Sequence, residues 1–201
     1  MQRVPVIQLI GPSGHKDAGT FLAGLEKHIG RLRRGKTEIT VRRPRPGNAA
    51  ELACALCRSA DLTIVSAHGG CNDEDAWICD GSTDPQNWLY FSQFGQLAPG
   101  KIATRGGLVW DVCTAGKPDF RTALEPHLSH QVTHVGVIGS VAYPDSVAIV
   151  PAILQALLLA PGTPAINAAT IEAAAEAAKK ATARRLFHTR LGHEQTTPAS
   201  E

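Results

Sequence analysis

A chain of 201 residues with 43% hydrophobic content carries enough apolar material for a sizeable core and most simply forms one domain. Its formal charge of +2 is too near neutral to make nucleic acid or an anionic membrane an obligatory partner. The longest apolar run, Val147 to Ala160, contains Gln155 and is too short to span a bilayer, and no N-terminal stretch reads as a signal peptide, so a cytoplasmic protein without membrane association is expected.

Short β-branched runs alternate with helix-like segments, the pattern of an α/β fold with a mostly parallel central sheet and helices on both faces. Val4 to Gly11 reads as a first strand, and after Asp17, an expected helix cap, Phe21, Leu22, Leu25, Ile29 and Leu32 fall at helical spacing. Thr37 to Val41 reads as a second strand. Asn48 followed by Glu51 approximates a capping box and opens a helix toward Ser59. Leu62 to Ala67 and Gly107 to Val112 are continuous apolar strands, and Pro118 begins a helix through Phe120, Ala123, Leu124 and Leu128. His134 to Gly139 is the last clear strand, and Pro144 to Leu159 follows as a buried helix kinked at Pro151.

Two stretches are less regular. Residues 71–106 hold turn signals, five acids and the cluster Trp88, Leu89, Tyr90, Phe91 and Phe94, and read as a long insertion over a site with one short helix inside. Thr163 to Leu191 reads as an alanine-rich helix that opens at Pro164 and carries Arg184, Arg185 and Arg190 in its last turns. The domain is expected to span residues 1–191, with a flexible tail over 192–201 and no internal repeat.

Two strand ends carry the chemistry. In open parallel sheets, ligands bind beyond the carboxyl ends of the strands, so residues distant in sequence can meet there. His68 ends one apolar run and Cys113 another, 113 − 68 = 45 residues apart, enough for one crossover that brings their strands side by side. A thiol is only slightly ionised at neutral pH, and a histidine at a neighbouring strand end is the base that would make it a nucleophile. Gly69 and Gly70 let backbone amides approach a substrate, and with the Cys113 N–H they could stabilise an oxyanion. Alternation along the strand puts Asp111 on the same face as Cys113.

Ser-Ala-His-Gly-Gly at Ser66 to Gly70 and Asp-Val-Cys-Thr-Ala-Gly at Asp111 to Gly116 resemble the His-Gly and Cys-x-x-Gly motifs of caspase-like cysteine peptidases, the bacterial CHAT domains and metacaspases above all. The Asp80-Gly81 turn with Trp88 and Phe91, and the run from His134 to Ala148, resemble neighbouring CHAT segments, so the likeness covers about Asp61 to Leu159. It implies a caspase-like three-layer fold and a peptidase with a His68–Cys113 dyad, needing no cofactor and no metal. Asp111 resembles the acid of the metacaspase Asp-x-Cys motif, which implies a substrate-binding role selecting Arg or Lys before the scissile bond. The resemblance implies bacterial, including antiviral, defence or regulated proteolysis, with a protein or peptide substrate. CHAT domains are commonly joined to recognition modules, so a regulatory protein partner is expected at Arg31 to Pro46 or Thr163 to Leu191.

The rival readings are blander. A caspase-like module with an idle dyad would only hold a partner. Gly11 to Gly19 could bind an anion or nucleotide, although His15 precedes Lys16 and Asp17 follows it, where a phosphate loop needs Gly and Ser/Thr. Cys54, Cys57, Cys71 and Cys79 lack the paired spacing of a zinc site, and the odd total of five cysteines fits reduced thiols. Asp73, Glu74, Asp75, Asp80 and Asp84 read first as a solvated loop and second as a negative rim for a basic substrate. His127, His130, His134 and His188 are expected at the surface or satisfied in the core, and the basic stretch lacks the aromatic platform that nucleic-acid binding would want. Nothing in the sequence signals an oligomeric state.

Overall fold

The computed structural model describes residues 3–32, 38–160, 165–182 and 186–192. Along the chain, β1 (Val6–Ile10) leads to helix α1 (Lys16–Leu32), β2 (Thr40–Arg42), helix α2 (Ala49–Leu56) and β3 (Ala60–Ser66). Three short strands follow, β4 (His68–Cys71), β5 (Ala76–Cys79) and β6 (Trp88–Tyr90), then the one-turn helix α3 (Phe94–Leu97). β7 (Thr104–Asp111), α4 (Pro118–Leu124), β8 (Val132–Val137), α5 (Tyr143–Leu158), α6 (Ala168–Thr182) and β9 (Leu186–Leu191) complete the order.

Among the described residues, six strands form a central sheet in the order β2-β1-β3-β7-β8-β9, parallel throughout except for the last pair. Strands buried on both faces need no polar alternation, which is why β3 and β7 read as continuous apolar runs. Ile7, Leu9, Leu62, Ile64, Val109 and Val135 point to the face covered by α1, α5 and α6. Ile10, Val65, Leu108 and Trp110 point to the other face, which packs on α2, α4 and residues of β5, β6 and α3. The result is a mostly parallel α/β sheet flanked by helices on both sides. On α1, Phe21, Leu22, Leu25 and Ile29 are each buried, and each such side chain is worth roughly 1.5–3 kcal/mol over leaving it exposed.

Several sequence expectations require correction. The last strand is β9, not β8, because residues 186–191 pair antiparallel with β8 instead of continuing the alanine-rich helix, which ends at Thr182. Leu186 and Leu191 are buried at the ends of β9, and Arg190, expected in the last turns of that helix, pairs from β9 with Glu172 on α6 at 3.2 Å. Arg184, Arg185 and Pro164, Thr37 of the expected second strand, and the tail beyond Gly192 lie outside the described residues. The 71–106 insertion is not merely a loop with a helix: β4, β5 and β6 form an antiparallel sheet of their own that begins at His68, and α3 follows it. Its inner side buries Ile78 and Leu89, while Trp77, Trp88 and Tyr90 stack on the other side. Leu128 lies beyond α4, past the short 3-10 turn Glu125–His127.

Candidate active site

β3 and β7 pair in parallel over residues that include Ser66 opposite Asp111, so the chain segments leaving their carboxyl ends emerge together. A cleft of about 120 Å³ opens there, lined among others by His15, Asp17, Ser66, His68, Asp111 and Cys113. The two residues of the expected dyad thus share one cleft with Asp111, although His68 belongs to β4 and Cys113 to the turn after β7.

The turn that carries Cys113 is fixed from several sides. β7 stops at Asp111 and α4 starts at Pro118, and between them Thr114 adopts φ 59. A β-branched residue in the left-handed region is unusual and needs a surrounding structure that over-determines it. Here the Thr114 N–H donates to the Gly139 carbonyl at 2.7 Å and the Gly116 N–H to that of Val137 at 3.0 Å. The Ala115 carbonyl accepts from Nε2 of fully buried His134 at 2.7 Å, which fixes the proton of neutral His134 on Nε2, since a carbonyl can only accept. Gly136 is required below the turn, because a Cβ there would lie 2.7 Å from the Gly116 nitrogen. The Cys113 sulfur accepts the Val141 N–H at 3.3 Å, a donor that a thiolate can use.

His68 is held by groups that sequence reasoning did not assign. Its ring stacks on that of His15 with centroids 4.3 Å apart and planes 8° from parallel. Gly81, at φ +85, lies so close to the same ring that a side chain there would collide with Cδ2 and Nε2. The loop carrying His15 is itself packed on this turn, since a Cβ on Gly14 would run into the Asp80 carboxylate. That carboxylate accepts from the Ser82 N–H and from Asn87 Nδ2, each at 2.9 Å. The helix cap expected at Asp17 is instead His15, whose Nδ1 accepts the Ala18 N–H at 3.2 Å. Burial first, and then the nearness of His68, push the His15 imidazole below its ordinary pKa, against smaller raising effects of Asp17, Asp111 and Asp80. One signal for His15 was present in the sequence: its loop follows the strand that pairs with β3, so it had to arrive at the same sheet edge.

Asp111 is 8% exposed, and its carboxylate accepts hydroxyl hydrogens from Ser66 at 2.6 Å and from Ser146 of α5 at 2.5 Å. Asp17 is the second acid of the cleft. Gly69 does not line the cleft: it lies within β4 opposite Ile78, where a Cβ would meet the Trp77 carbonyl and come within 2.6 Å of Val112 Cγ1, so packing alone accounts for its missing side chain.

The other candidates fall away from the cleft. Asp75 accepts the Ser92 hydroxyl hydrogen at 2.5 Å, tying the turn before β5 to the 3-10 turn after β6, and Asp84 caps the 3-10 turn Pro85–Asn87, so both acids hold the insertion's own structure. No group of three or more His, Cys, Asp or Glu among the described residues could hold a metal ion. Cys57 donates to the Gly100 carbonyl at 3.2 Å, and burial raises its pKa. No helix among the described residues is long and apolar enough to cross a membrane. Lys16, Lys27, Arg43 and Arg45 line a separate open groove along α1, of about 700 Å³. No protein-family model matches this chain, and no curated protein matches it in sequence.

Proposed function

We propose that the chain is a caspase-like cysteine endopeptidase of CHAT type, with His68 as general base and acid and Cys113 as nucleophile. The observation that carries the reading is the arrival of His68, Cys113 and Asp111 in one cleft from separate segments at the carboxyl end of a parallel sheet. In the proposed reaction His68 takes the Cys113 thiol proton, the sulfur bonds to the scissile carbonyl carbon, and the charge that develops on oxygen is met by the Cys113 amide, the expected second donor Gly69 lying outside the cleft. As the tetrahedral intermediate collapses, the C–N bond breaks and the imidazolium protonates the leaving amine. Water activated by the same imidazole then cleaves the thioester. No step calls for a cofactor.

Asp111, with Asp17 beside it in the cleft, supports selection of Arg or Lys before the scissile bond, because a cation entering the cleft would meet two carboxylates. The cleft is smaller than the roughly 300–1,000 Å³ usual for ligand sites, which favours a site that a regulatory partner opens. The groove holding Lys16 and Arg45 adjoins the loop of His15 and is the proposed docking face, in a setting of bacterial defence or regulated proteolysis.

Cleavage of a mixed peptide library by wild type, Cys113→Ala and Asp111→Ala tests this. Cuts after Arg or Lys that vanish in Cys113→Ala and lose their P1 preference in Asp111→Ala are expected. Cuts that survive Cys113→Ala would overturn the nucleophile, and cuts after other residues would remove the specificity role of Asp111.

A further inference from the structure

We propose that His15 is a positioning residue for the base: its neutral imidazole is the wall against which the His68 ring is held toward Cys113. The inference rests on the peptidase reading above and concerns the geometry of that same site. A base at the start of a short strand on the rim of a cleft is exposed, and an exposed imidazole would ordinarily sample several rotamers. Here two contacts confine it. The His15 ring lies parallel to it at 4.3 Å, and Gly81 abuts the Cδ2–Nε2 side so closely that only a glycine fits.

His15 can serve as the wall because it is itself anchored. Its Nδ1 lone pair is used by the Ala18 N–H at the start of α1, which leaves the proton of the neutral ring on Nε2 and ties its position to a 17-residue helix. A neutral aromatic face also tolerates the positive charge that His68 acquires when it takes the Cys113 proton. A protonated His15 would do neither. Its Nδ1 could no longer accept from Ala18, and two stacked cations would repel. The titratable groups facing His15 are Asp17 from the first turn of α1, His68 from β4, Asp111 from β7 and Asp80 from the turn after β5. The three carboxylates favour protonation, whereas burial and His68 oppose it and prevail.

Two substitutions separate the wall from the cap. His15→Asn keeps a good capping side chain and removes the stacking ring, whereas His15→Phe keeps a stacking ring and removes the cap. The rate of Cys113 alkylation by iodoacetamide across pH reads the dyad without any peptide substrate, and the ring-current shift of the His68 Hε1 proton reads the stack directly. His15→Asn is expected to melt as wild type does, to lose the ring-current shift and to slow alkylation at neutral pH roughly 10- to 100-fold, the scale of a misplaced catalytic group. His15→Phe is expected to keep the shift and most of the rate, and to lose the part of the acid-side fall in rate below pH 6.5 that His15 protonation causes. The inference is overturned if His15→Asn alkylates at the wild-type rate, or if His15→Phe is as slow as His15→Asn at equal folded fraction. A Cys113 that is unreactive in wild type overturns the peptidase reading as well. A reactive Cys113 indifferent to His15→Asn overturns this inference alone.

Discussion

Gly81 shows how much a single backbone position can decide. It is left-handed at φ +85 and touches the His68 ring, so both its conformation and the space around it demand glycine. Gly81→Ala would incur about 1–2 kcal/mol for an L-residue in that region and would push the imidazole out of place. The expected outcome is a lowered melting temperature together with slower Cys113 alkylation. Gly95 in α3 is the control: a Cβ there meets nothing within 4 Å and its φ is not positive, so Gly95→Ala should leave both readouts unchanged. If Gly81→Ala reacted as fast as wild type, the ring would have to hold its place without that contact.

At the level of elements, sequence periodicity succeeded where one strong local signal was present. The cap at α2 is such a case, since Asn48 Oδ1 accepts the Glu51 N–H at 2.9 Å while Glu51 Oε2 reaches back to the Gly47 N–H at 2.7 Å. Asn48→Ala should cost about 1 kcal/mol, which for a chain of this size is a fall of roughly 2–4 °C in Tm, measurable by thermal melting. β1, α1, β3 and β7 were legible for the same kind of reason: a buried parallel strand or an amphipathic helix writes its environment into consecutive residues. β9 was not. It is an edge strand whose residues 187–190 are neither fully buried nor regularly alternating, and it follows an alanine-rich helix with no sharp stop in its pattern. The small sheet of β4, β5 and β6 was hidden by its three- and four-residue strands, too short for a period of two to register. At the site, His68, Cys113 and Asp111 could be placed together from strand ends alone. The His15 stack could not, because ring orientation across the sheet edge leaves no trace in local spacing.

Across the whole molecule, burial of neutral histidines couples the fold to acid. His134 lies under the Cys113 turn, and burial above all lowers its pKa to about 4, the Ala115 carbonyl notwithstanding. Burial likewise lowers His15 and His127, which packs on Phe91 and Phe94. A depressed histidine pKa means that the unfolded chain binds more protons than the folded one between the two pKa values, so stability rises with pH in that window. The contribution is fully present above about pH 6.5 and is lost as pH falls toward the folded value. For His134 alone the difference amounts to about 3 kcal/mol at most, because each tenfold change in proton affinity is worth about 1.36 kcal/mol. Urea melts from pH 7 down to pH 4 should therefore show falling stability. His134→Gln, which can still offer an N–H to the Ala115 carbonyl, should flatten that slope by up to about one proton's worth. The substitution also separates the histidine's two roles. If the slope flattens while Cys113 keeps its reactivity at pH 7, the N–H to Ala115 is what the catalytic turn requires. If reactivity falls although the fold is intact, the turn depends on the imidazole itself, packed between Trp110 and Phe120.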